Sequence, residues 1–153
     1  MTDEEARVAA LIKNAFCGVT LGSGVGLLQG QGIDDYAGDT TLAEYRSRDE
    51  KIDWSRIPVE ALTRCHSSLS FFDAEGMRFH LPAFLIADLE GTLGQELTGH
   101  LTYLVEGATS RFDLLSSAQR DAVREHLLLR LAETIFEFER RSIETAFEAY
   151  WLP

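Results

Sequence analysis

The chain has 153 residues, 45% of them hydrophobic, enough for one domain with a substantial core and too few for two. Its formal charge is −11, from 25 acidic residues against 14 basic ones, and only Lys13 and Lys51 are lysines. Such a surface repels nucleic-acid backbone and anionic lipid, so nucleic acid and membrane are excluded as partners, and a basic protein is the partner that the charge favours.

In chain order, Thr2 and Glu5 form a capping box, and Val8, Leu11, Ile12 and Phe16 continue at helical spacing, predicting a helix from Asp3 to Phe16. A glycine-rich stretch, Gly18 to Gly32, follows; Val19–Leu21 reads as an extended run or loop, and Ser23 onward as a helix weakened by glycines. Thr41 and Glu44 form a second capping box, opening a polar helix toward Arg48. The charged segment 49–56 reads as a loop pinned to the core by Trp54, and Pro58 opens a short helix through Thr63. Asp73 then caps a helix running toward Gly91 that is apolar nearly all round, so it is expected to be the buried centre of a bundle. Inside it, Pro82 removes the donor for the Arg78 carbonyl and predicts a kink. Leu101–Val105 is short and apolar, helix or strand. Ser116 and Gln119 form a third capping box before a long amphipathic helix carrying Val123, Leu127, Leu128 and Leu131. A last helix turns Ile143, Phe147 and Tyr150 or Trp151 inward and Glu144 and Glu148 outward. The expectation is all-α: one domain over residues 1–153, six or seven helices around a kinked central one.

The chemical motifs are sparse. Gly22-Ser23-Gly24-Val25-Gly26 has the look of a phosphate loop but neither dinucleotide spacing nor a following Lys-Ser/Thr, and reads as a turn before a helix. His66, His80, His100 and His126 show no metal-ligand spacing. No cofactor or metal is implied. Cys17 and Cys65 make no disulfide framework, and a Cys–His nucleophile built from either is a minor alternative. The acidic N-terminus, Thr2-Asp3-Glu4-Glu5, has no signal-peptide pattern, so a cytoplasmic location is expected.

Asp88 shares a face of the central helix with Met77, Leu81 and Phe84. A carboxylate there must be paired, hydrogen-bonded or protonated. It reads first as an ion pair with an arginine of another helix or as a cap, and second as an acid or base with a displaced pKa. Arg78 reads as the anchor of a carboxylate in the core, or of a substrate anion.

Several stretches are similar to a known family: Phe16–Leu21 with Ile33-Asp34-Asp35-Tyr36, Trp54–Pro58, Leu69–Asp73, Gly76–Phe84, His100-Leu101-Thr102 and the closing Tyr150-Trp151. The chain resembles a group of small acidic bacterial proteins catalogued as domain of unknown function 6714. The resemblance spans nearly the whole sequence and implies a bacterial protein of one domain; it carries no activity or catalytic residue.

Two functions follow. The first is a non-enzymatic acidic module, immunity-type or regulatory, that recognises a basic protein through Asp34, Asp35, Asp39, Glu44, Asp49 and Glu50. The second is a small-molecule binder or enzyme with a pocket beside Pro82, using Asp88 with His80 or His100 and Arg78 as anion anchor.

Overall fold

The computed structural model describes residues 1–104 and 108–152, and it is helical throughout, with no strand among the described residues. Among the described residues eight α-helices run in the order α1 (Asp3–Ala15), α2 (Leu27–Asp34), α3 (Asp39–Arg48), α4 (Val59–Arg64), α5 (Ala74–Leu89), α6 (Thr98–Thr102), α7 (Ser117–Glu133) and α8 (Glu137–Ala146). The all-α expectation holds, with one helix more than the upper bound among the described residues, because Leu101 and Thr102 of the ambiguous stretch belong to α6, whereas Tyr103 and Leu104 follow its end. Val105, the end of that stretch, lies outside the described residues.

α5 is the centre. Gly76, Met77, every residue from Phe79 to Leu85, and Ala87 are buried, as expected for a helix apolar on most of its circumference. It packs against α1, α4 and two short 3₁₀ turns, Trp54–Arg56 and Ala108–Phe112. Helical structure continues through Pro82 without a break.

Three helix starts follow directly from side-chain caps. Thr2 accepts from the Glu5 N–H, Asp73 from Gly76, and Ser116 from Gln119, each answering a donor that the first turn leaves unpaired. The Ser116 box is closed from both sides, since Gln119 Oε1 accepts from the Ser116 N–H at 2.9 Å. The Thr41–Glu44 box does not open a helix: α3 begins two residues earlier, at Asp39 behind Gly38. Pro58 is the cap of α4 rather than its first residue.

Both tryptophans tie separate segments together. Trp54 Nε1 donates to the Phe16 carbonyl at 2.9 Å, which pins the charged 49–56 loop to the end of α1 as expected. Trp151 Nε1 donates to the Leu101 carbonyl at 2.8 Å from a final π-helical turn, Phe147–Trp151. Ile143, Phe147 and Trp151 are buried, and Glu144 and Glu148 face out.

Candidate functional site

The glycine run that resembles a phosphate loop lies across the start of α5. Glycine is required there by close approach: a Cβ on Gly24 would stand 2.7 Å from the Gly76 nitrogen, and one on Gly76 would stand 2.6 Å from the Val25 carbonyl. With the two backbones in contact, the loop's donors meet α5 carboxylates. Ser23 N–H donates to Glu75 at 3.0 Å and Val25 N–H to Asp73 at 3.0 Å. Arg46 closes the far side, donating to the carbonyls of Gly24 and Gly22 at 3.1 and 2.7 Å. The anions this loop holds are side chains of its own chain.

Asp49 belongs to the same internal set. It is only 8% exposed, and its two oxygens accept from the Leu28 and Gln29 N–H groups at 2.7 and 3.2 Å, capping α2 from a distance. Burial pushes its carboxyl above the usual range, against the two backbone hydrogen bonds that lower it. Asp49, expected among the partner-facing acids, is thus engaged inside the fold. Glu50 is also occupied, with one oxygen accepting from the Ile52 and Asp53 N–H groups at 3.0 and 3.1 Å; these bonds hold its carboxyl below the ordinary value.

Asp34, Asp35, Asp39 and Glu44 stand differently. They lie on the α2–α3 hairpin; Asp35, Asp39 and Glu44 are exposed and Asp34 half-buried. None of the four is in an ion pair among the described residues. At the tip Tyr36 is 96% exposed, held out by a positive φ of 59° that only a tight corner imposes on a residue with a side chain.

The groups assigned to the acid–base alternative do not converge. His80 is wholly buried, stacked on Phe72 at 4.3 Å, and its Nδ1–H donates to the Gly76 carbonyl at 2.7 Å. Burial pushes its pKa down to about 4, so the ring is neutral at pH 7. His100 is half-buried on α6, with its pKa lowered by burial and by Arg111 and raised by Glu96. Asp88 pairs with neither: it accepts from His126 Nε2 of α7 at 2.8 Å. The paired partner from another helix is thus a histidine rather than an arginine. His126 Nδ1 is buried without a partner among the described residues, so the far end of this dyad faces the interior. Arg78 makes no ion pair among the described residues, and its Nε is buried and unpartnered there.

A pocket lies along the Ala83, Ile86, Ala87 and Glu90 face of α5, and Pro82 does not line it. It is an open groove of about 820 Å³ floored by Trp54, Leu62, Ala83 and Ala87, with Cys17, Lys13, Asp53 and Glu90 at its polar edges. The small pair Ala83 and Ala87, one turn apart, leaves the space. Asp88, His80 and His100 do not line it. Cys17 is an exposed free thiol and Cys65 a buried one, whose pKa burial raises. Among the described residues no three His, Cys, Asp or Glu side chains come together in a metal-binding group, and no helix is long and apolar enough to cross a membrane.

Residues 4–153 match the profile of a family described as a family of unknown function, DUF6714. The chain belongs to that family. The match takes in the glycine loop, α5 with Pro82, the α2–α3 corner and the closing Trp151. No curated protein and no solved structure matches the chain.

Proposed function

We propose that the protein is a protein-binding module whose α2–α3 corner recognises a basic partner. The observation that carries this reading is that Asp34, Asp35, Asp39 and Glu44, on the hairpin whose tip is the projecting Tyr36, make no ion pair among the described residues. Carboxylates without internal cations keep their full field, which accelerates encounter with a cationic surface and discriminates against anionic ones. Tyr36 adds a rigid amphipathic side chain of the kind enriched at recognition surfaces. A partner's cationic groove covered by this corner is the immunity-type or regulatory form of the same chemistry.

The test compares immobilised wild type with a variant carrying Asp34→Asn, Asp35→Asn, Asp39→Asn and Glu44→Gln. The expected result is a basic protein retained from cell extract at low salt, released at high salt, and held about tenfold more weakly by the variant. Equal retention by both proteins, or retention that high salt leaves unchanged, contradicts the electrostatic basis.

The groove favours a second reading, a small-molecule binder. An apolar floor with a few polar groups at the edge is the usual composition of a ligand site. Filling it with Ala87→Phe abolishes binding of a hydrophobic fluorescent probe on this reading; an unchanged titration contradicts it.

A further inference from the structure

The turn from α7 to α8 holds large apolar side chains in solvent. Ile135 is 87% exposed, Phe136 64% and Phe138 84%. The turn is also well tied. The Phe136 N–H donates to Thr134 Oγ1 at 3.2 Å, Arg140 donates to the Thr134 carbonyl at 3.1 Å, and Arg130 joins α7 to Glu139 of α8 through Nε at 3.0 Å. The neighbouring Thr134 is buried, and the inner side of α8 is anchored by Ile143 and Ala146. Three exposed apolar side chains within four residues, on a backbone tied by these bonds, make a surface prepared for contact, since little ordering remains to be done when it is covered.

Charge selects the occupant. Residues 128–141 carry Arg130, Arg140 and Arg141 against Glu133, Glu137 and Glu139, so this stretch is neutral in a chain of net charge −11. A basic partner finds no excess of acid here, and an anionic bilayer is repelled by the remainder of the molecule. A surface with an apolar centre and three charges of each sign fits another surface of the same composition. In a twofold pairing each patch meets its own copy, and the Arg141–Glu137 and Arg130–Glu139 pairs can exchange partners across the axis.

We propose that the Ile135–Phe138 ridge is the interface of a twofold-symmetric homodimer. The acidic α2–α3 corner is not part of this interface, so the dimer presents two copies of it. Self-association through the ridge strengthens with added salt, because salt screens the repulsion between two chains of charge −11 while leaving apolar burial intact. That is opposite in sign to the salt response expected of a basic partner at the corner, and the two proposals fail separately.

The experiment is sedimentation velocity with light scattering over a concentration series of the full chain at low and high salt. The expected mass rises from 17.1 kDa toward twice that value, at lower protein concentration when salt is high. Ile135→Ser with Phe138→Ser holds the mass at 17.1 kDa over the same range, with an unchanged circular dichroism spectrum. Because both side chains are exposed in the protomer, the fold does not depend on them. Oxidative cross-linking of Phe136→Cys in a Cys17→Ser background is a second readout, of proximity across the axis rather than of mass, and it yields a covalent dimer. A protein that stays monomeric at every concentration and salt overturns the proposal. So does a dimer that survives the double substitution, a dimer that salt dissociates, or a monomer that co-sediments with vesicles of three parts phosphatidylcholine to one part phosphatidylglycerol.

Discussion

Two groups of carboxylates in this chain meet opposite fates. Asp49, Asp73 and Glu75 are consumed by backbone donors where glycines let one segment touch another. Asp34, Asp35, Asp39 and Glu44 sit on the α2–α3 hairpin with no cation paired to them among the described residues. Most members of both groups are acids beside turns or helix ends, and Asp49 lies only five residues from Glu44. What separates them is whether an N–H donor from a distant segment reaches the carboxylate. An acid bonded to amides of a distant segment holds the fold, and one on the hairpin without such a donor projects charge.

The largest expected effect lies on the internal side and runs through His80, whose Nδ1–H bonds the carbonyl of the same Gly76 whose N–H bonds Asp73. The folded-state pKa, about 4, is below the ordinary 6.5, so the unfolded chain takes up the proton more readily. Its contribution to stability is complete above pH 6.5 and falls away as the pH drops toward 4, by roughly 3 kcal/mol over that window. Urea unfolding at pH 7 and pH 4 measures the loss, and His80→Phe should remove most of the difference between the two pH values. A similar pH difference in wild type and variant would place the acid sensitivity elsewhere.

Next in size is Asp73→Ala, which strips one oxygen from two donors, Val25 and Gly76. Losing a helix cap together with a loop bond should lower stability by about 2 kcal/mol, read as a shift in urea midpoint at unchanged slope. The smallest effect belongs to the outer group. Removing Asp34, Asp35, Asp39 and Glu44 charges together should leave stability within about 0.5 kcal/mol of wild type, or raise it slightly by relieving net repulsion.

Local signals accounted for much of the fold. The caps at Thr2, Asp73 and Ser116 are short-range devices, written within four residues, and all three stand where the spacing put them. The all-round apolarity of α5 likewise announced its burial. The Thr41–Glu44 box misled because such spacing also occurs inside a helix that is already under way. The sites were harder to read because they depend on partners distant in sequence. Asp88 finds His126 on α7, 38 residues away, and no spacing on α5 could show it. Asp49 is separated from Leu28 by 21 residues, so it passed for a surface acid. The groove had a legible trace in the alanines at 83 and 87, one helical turn apart in an otherwise bulky helix. The Ile135–Phe138 ridge has three large apolar residues among four, but their exposure depends on how α7 and α8 are joined.

The most direct test is a side-by-side urea unfolding of two variants at pH 7 and low salt. One carries Asp49→Ala with Asp73→Ala, and the other carries the four corner substitutions. The division of carboxylates predicts that the first loses about 2 to 4 kcal/mol and the second loses nothing measurable. A corner variant destabilised as much as the internal one would contradict it, because the corner acids would then be holding the fold.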